Sequence, residues 1–299
     1  CSQYLGARMH KNMVQVVGVS LILNLVFGLF VSAILHYGAT SLLSMMGLRP
    51  ELMEYGVSYM KIVGAFAFFQ AISLTISASL RSANKAVYPM MVTVVVNILN
   101  IIGNYSLIFG KFGMPALGVE GAAISTAFAR GVSMVILFVI LFRKHIPRFP
   151  LSYFCPFPFV ELKNLLKIGV PSAGENMSYS FSQVVLTYFI NMLGNEALAT
   201  RTYVVNIVMF VYLFAIAMAQ GGAICIGHLV GERKIHAAYL LGKYVMRISI
   251  LVSLVLSCIW ALMGHTLFSW LTDNPEIIRL GTIILFIDVI LEVGRAINI

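Results

Sequence analysis

The chain has 299 residues, 60% of them hydrophobic and only 10% charged, with a formal net charge of +9. A soluble domain carries about 25% charged residues, so this composition excludes an ordinary water-soluble fold. The Lys and Arg residues are dispersed between apolar runs rather than gathered in a patch, which excludes a nucleic-acid-binding surface as their purpose.

Eight apolar segments follow one another, at 12–37, 52–79, 86–110, 119–142, 164–193, 198–226, 238–264 and 277–299. Each has the roughly 20 residues a helix needs to cross about 30 Å of hydrocarbon. An open strand would leave its backbone groups unpaired in lipid, so an all-α polytopic membrane protein is expected. The four cysteines, Cys1, Cys155, Cys225 and Cys258, have no disulfide or metal spacing. The first residue is Cys and no signal peptide is visible, so the chain is expected to begin within a longer protein.

Alternate loops differ in charge. One set holds Arg8, Lys11, Arg81, Lys85, Arg143, Lys144, Arg148, Lys163, Arg233 and Lys234, and the other only Arg49 and Lys111. The excess of positive residues assigns the first set, and the start of the chain, to the cytoplasmic side. The loop at 143–163 is also rich in proline (Pro147, Pro150, Pro156, Pro158) and reads as a linker between two lobes, 1–142 and 164–299, with four spans each. An offset of 225 residues sets Gly6 and Arg8 on Gly231 and Arg233, and Pro50 and Glu51 on Pro275 and Glu276. A repeat unit with an even number of helices gives two halves of the same orientation, related by an axis along the membrane normal.

Several motifs resemble the multidrug and toxic compound extrusion (MATE) family. They are Gln3-Tyr4-Leu5-Gly6-Ala7-Arg8, Leu80-Arg81-Ser82, Asn97-Ile98-Leu99-Asn100, Ile168-Gly169-Val170-Pro171 and Gly227-His228-Leu229-Val230-Gly231-Glu232. The most specific is Gly113-Met114-Pro115-Ala116-Leu117-Gly118-Val119-Glu120-Gly121-Ala122-Ala123. The resemblance implies two six-helix lobes, of which this chain would supply the third to tenth helices. It also implies export of organic, often cationic, compounds in exchange for Na+ or H+, in a multi-pass plasma-membrane protein acting as a monomer without a cofactor.

Charges inside a span are costly and are functional candidates by default. In the fifth segment Glu175, Tyr179 and Ser182 share one face, beside Asn176 and Gln183 and beyond Pro171, which can hinge a helix. Glu175 reads as a coupling carboxylate or as an acid paired for packing. The family resemblance implies a coupling acid about one turn later, where this chain has Tyr179. In the eighth segment Asp288, Glu292, Arg295 and Asn298 form a polar stripe, in which Glu292 and Arg295 can pair along the helix. The resemblance links an acid in this helix to cation coupling, and a neutral structural pair is the alternative. Asn97, Asn100 and Asn104 share a face as interhelical glue or cavity lining, and Arg130 sits mid-span among small residues that favour close helix packing.

No metalloprotease, nucleophile-elbow or phosphate-loop motif is present, so an embedded enzyme has no support. A lipid-linked-sugar flippase of related fold is the alternative transporter. It would need a wide basic cavity, against which the acids Glu175, Asp288 and Glu292 weigh.

Overall fold

The computed structural model describes residues 1–46, 50–146, 151–154 and 157–298, leaving aside the side chains of Lys144, Leu151 and Ser152. Arg49, Pro147, Arg148, Pro150, Cys155 and Pro156 lie outside the described residues. Among the described residues every regular element is helical. In chain order these are α1 (Ser2–Gly6), α2 (His10–Tyr37), α3 (Ala39–Met45), α4 (Pro50–Ala65), α5 (Ala67–Ser82), α6 (Val87–Phe109) and α7 (Gly118–Ile140). After a π-turn (Leu141–His145) and a 3-10 turn (Leu151–Phe154) come α8 (Phe159–Met192), α9 (Asn195–Gly231), α10 (Ile235–Leu262), α11 (Gly264–Leu271) and α12 (Pro275–Asn298).

Each of the eight expected segments is helical, and three short helices lie between or before them. Five helices, α2, α6, α7 (to Arg143), α9 and α10, are individually long and apolar enough to cross a membrane, and the bent pair α4–α5 makes a sixth. Their outward faces are apolar: Val26, Phe27 and Phe30 are all about 60% exposed. That surface is stable only where the surrounding solvent is hydrocarbon.

The segment expected as one helix over 52–79 is broken at Phe66, with a 45° bend between α4 and α5. The cause lies on α2. The buried Ser32 hydroxyl accepts a hydrogen bond from the Phe68 backbone N–H at 3.2 Å, in place of the helical carbonyl at Gly64. A side chain inserted into the backbone ladder kinks a helix in this way.

The chain forms two compact units, one of Gln3–Leu166 and one from Lys167 onward. The division falls inside α8, just beyond the 143–163 stretch expected as a linker. In the first unit α2 packs on α4 and α5, and α7 packs on α4, α5 and α6. The core there is built from Met13, Val17, Ile72, Ile76, Leu80 and Leu137. Gly121 lets α7 approach α6: a Cβ at that position would stand 2.4 Å from the Leu107 carbonyl oxygen. Gly110 ends α6 in the left-handed conformation at φ +65°, which glycine adopts without strain. The start of α8 is tied down by Glu161, a buried carboxylate that accepts hydrogen bonds from the Tyr4 hydroxyl (2.8 Å) and Asn12 Nδ2 (3.0 Å).

In the second unit α9, α10 and α12 pack against one another around Val204, Ile207, Val208, Phe268, Ile277 and Leu285. Pro275 opens α12, where its missing N–H is not needed. Asn274 caps the same turn: its Oδ1 accepts from the Glu276 N–H at 2.9 Å, and its Nδ2 donates to Glu196 on α9 at 3.0 Å. That cap fixes the start of α12 against α9.

Candidate functional site

The spacings of four and three residues along α12 put Asp288, Glu292 and Arg295 on one face. That face turns inward. Glu292 is wholly buried and Asp288 is 7% exposed, whereas Ile290 between them is 77% exposed. The polarity of α12 is thus inverted relative to a helix in water, with acids inside and apolar residues outside. Arg295 Nη1 donates a hydrogen bond to Glu292 Oε1, and its Nη2 lies 3.7 Å from Asp288 Oδ1. The guanidinium stands over the Tyr212 ring of α9, 5.7 Å from its centroid, within cation–π range. The second Glu292 oxygen, Oε2, is buried with no hydrogen-bond partner among the described residues.

Two carboxylates therefore share one guanidinium, and one carboxylate oxygen is left unmatched. With both acids ionised the group carries a net charge of about −1 in a largely buried setting, where an uncompensated charge is expensive. Such an arrangement can take up a proton or a small cation. Asn298 is exposed on the last turn of α12 and takes no part. Sequence reasoning had passed over the partners on neighbouring helices. Tyr212 is one. Separately, Ser249, Ser253 and Ser257 form a buried polar face on α10, signalled in the sequence by their four-residue spacing in an apolar helix. Ser253 Oγ is buried without a hydrogen-bond partner among the described residues.

The fifth segment is placed differently. Glu175, Tyr179 and Ser182, expected on an inward face, are exposed within their own unit. Among the described residues no hydrogen bond ties these three side chains to another helix, and α8 is joined to α9 further on, where Arg201 donates to Gln183 Oε1 at 2.8 Å. Pro171 lies inside α8, which continues through it.

In the first unit Asn104 Nδ2 donates to Asn100 Oδ1 at 3.1 Å, and Asn100 Nδ2 approaches Thr126 Oγ1 on α7 at 3.4 Å. Ser125 Oγ adds a hydrogen bond to the Asn100 carbonyl at 3.2 Å, so this edge of α6 is fastened to α7. Asn97, one turn earlier, is exposed and lines a cavity of about 470 Å³ together with Asn100 and Arg130. Of the small residues near Arg130, Ala127 and Ala129 are buried, and no ion pair to Arg130 is found among the described residues.

The sequence profile of the MatE family matches residues 1–106 and 171–299. Two matches to one profile are what a duplicated unit produces. The chain is 38% identical over 298 residues to a protein described as the uncharacterized transporter YisQ of Bacillus subtilis, covering 100% of this chain and 66% of that one. It is 28% identical over 236 residues to the probable multidrug resistance protein NorM of Thermotoga maritima, covering 78% of this chain and 50% of the relative. An outward-facing multidrug resistance MATE family transporter of the MOP superfamily has the same fold, with a TM-score of 0.86 at 24% identity over 99% of this chain and 65% of that structure. The chain thus spans about half to two thirds of the length of these proteins. Its bilayer-facing helices, its motifs and the doubled profile match make this chain a member of the MatE family of multi-pass membrane transporters.

Proposed function

We propose that the chain belongs to a secondary active multidrug efflux transporter, which exports organic, often cationic, compounds in exchange for Na+ or H+ by alternating access. The observation that carries this reading is Glu292, wholly buried with one oxygen on Arg295 and the other unmatched, next to a second acid. A buried carboxylate whose charge is only partly compensated binds a proton or Na+ at a gain that an exposed acid lacks. Occupation of that acid by the ion in one conformation, and its release in the other, links ion flux to substrate flux. Arg295 holds the empty site together between these states.

Support also comes from relatives named as multidrug resistance proteins and from the Met- and aromatic-rich composition, whose soft and π-faced side chains suit varied organic cations. In this reading the protein is a monomer in the plasma membrane, the start of the chain and the 143–163 loop are cytoplasmic, and two lobes repeat in parallel. Glu175 and Tyr179 supply cation-coupling or substrate-binding groups on α8.

The test is transport by the full-length protein in sealed vesicles, with Na+ and H+ gradients imposed separately. One gradient drives uptake of a fluorescent organic cation in the wild type, and Glu292→Gln abolishes it with normal insertion and a monodisperse elution profile. Gradient-driven transport at the wild-type rate in both Glu292→Gln and Asp288→Asn would refute the assignment.

A further inference from the structure

We infer that the open cavity between α5, α6 and α7 in the first unit is an anion site, which takes the oxyanion head of an amphipathic ligand. Its volume, about 470 Å³, suits a small organic molecule. Two arginines line it, Arg81 from the last turn of α5 and Arg130 from the middle of α7. Gln70, Ser73, Asn97 and Asn100 supply further hydrogen-bond donors to its wall. No Asp or Glu is among the lining residues, and neither arginine is in an ion pair among the described residues.

Arg130 is the centre of the argument. It lies near the midpoint of a span running from Gly118 to Arg143, the depth at which a guanidinium is least tolerated in lipid. Arginine cannot escape by losing its proton. It must face water, a carbonyl cluster or an anion. The α12 cluster shows the other solution, a guanidinium matched to acids of its own helix, and α7 carries no such acid near Arg130: its one acid, Glu120, is in its first turn. A second observation points the same way. Ser73 Oγ, buried on the wall of this cavity, has no partner among the described residues. A hydroxyl in a helix usually donates to the carbonyl one turn back, as Thr75 does to Ala71 and Thr126 to Ala122. Ser73 is left as a donor in search of an acceptor. Two cations and several neutral donors around one space, with no acid, describe a receptor for carboxylate or phosphate oxygens, which a planar guanidinium grips with two parallel hydrogen bonds. The remaining wall is mixed: Ser77, Thr93, Thr126 and Ser133 add hydroxyls, and Leu74, Met90, Val96 and Leu137 form an apolar part that accommodates the body of the ligand. This inference does not rest on the coupling role of the α12 acids.

The experiment uses full-length protein in phosphatidylcholine nanodiscs and compares two probes of one shape, 2-naphthoate and 2-naphthamide, by titration calorimetry. The carboxylate is expected to bind at least about tenfold more tightly than the amide. Arg130→Met erases that preference, Arg130→Lys retains part of it, and Arg81→Met reduces it several-fold. A repeat in nanodiscs containing phosphatidylglycerol distinguishes the sources of the oxyanion: competition identifies a lipid headgroup, and unchanged affinity identifies a soluble organic acid, each at the same site. Equal affinities for the two probes in the wild type overturn the inference without any variant, as they would if an acid elsewhere in the protein already neutralised Arg130. A preference that survives both Arg130→Met and Arg81→Met overturns it as well.

Discussion

Replacing Arg295 by Met keeps an unbranched apolar stem and removes the charge that Asp288 and Glu292 share. At an effective dielectric constant of about 20, two unit charges 3.7 Å apart attract by about 4.5 kcal/mol, which sets the scale for Asp288 alone. The Glu292 contact is closer, and Glu292 is wholly buried, so its interaction is the larger. Against this stands the desolvation of Arg295, whose side chain keeps 33% of its exposure, so its charge is partly screened. Breaking a buried pair by removing one partner costs about 3–5 kcal/mol, and the partial exposure places Arg295→Met at the lower end, about 3 kcal/mol. Glu292→Gln leaves Arg295 with Asp288 and costs less, about 1–2 kcal/mol. The double variant removes one charge of each sign and is expected to be less destabilised than Arg295→Met alone. Unfolding in mild detergent, followed by tryptophan fluorescence across a denaturant series, yields all three values and the coupling between them. Additive effects, or a loss below about 1 kcal/mol for Arg295→Met, would refute the buried-cluster reasoning, because an exposed pair behaves in that way.

Three further outcomes follow from local geometry. Gly121→Ala sets a methyl group 2.4 Å from the Leu107 carbonyl oxygen and forces α6 and α7 apart, at a cost of about 1–3 kcal/mol seen as a lowered thermal midpoint. A midpoint equal to wild type would show that the approach of these helices is loose. Ser32→Ala strips the Phe68 N–H of its acceptor at the α4–α5 break and costs about 1–2 kcal/mol, while Ser32→Thr retains the bond; equal midpoints for the two variants would count against the ladder insertion. His145, in the π-turn after α7, is held neutral by burial and by the Lys85 ammonium, with its pKa lowered to about 4. The unfolded chain then binds more protons between pH 4 and about 6.5, so stability is full above that window and declines as pH falls through it. The wild-type midpoint is expected to drop between pH 7.5 and pH 5, and His145→Gln to flatten the drop. Parallel curves for the two proteins would exclude His145 as the source.

The helices were legible because lipid demands long apolar runs and leaves few other structures. The polar stripe of α12 was legible too, since helical spacing alone puts Asp288, Glu292 and Arg295 on one face. The sharing of Arg295 with Asp288 depends on the rotamer it adopts, and Tyr212 reaches Arg295 only through the packing of α9 on α12. The break at Phe66 was hidden for a similar reason: nothing within 52–79 produces it, and its cause, Ser32, stands on another helix. Glu175 and Tyr179 show the limit of periodicity most directly. Their spacing resembles that of Asp288 and Glu292, yet one stripe is exposed in its unit and the other is buried. A period says which residues share a face, and packing decides what that face meets.

α7 is apolar enough along its length to cross a membrane while α12 is richer in charge, and the two helices accommodate their charges in different ways. Within its last eleven residues α12 holds two acids and one base, which by composition alone argues against a span. Their mutual pairing lowers the cost, because a guanidinium set between two carboxylates desolvates as a group with a net charge of about −1 rather than as three separate ions. The residual charge is the basis of the proposed uptake of a proton or cation at α12. α7 is apolar enough overall that a single Arg130 leaves its span intact, but that arginine has no acid on its own helix within a turn. In the anion-site proposal its compensation comes from a ligand in the cavity it lines. The same physical demand, that no charge stand alone in a medium of low dielectric, therefore yields a nearly self-neutralised cluster on one helix and an open donor-lined cavity beside the other. Charge tallied over the whole chain conceals this division, since the +9 sum mixes loop residues with the few groups that sit at depth.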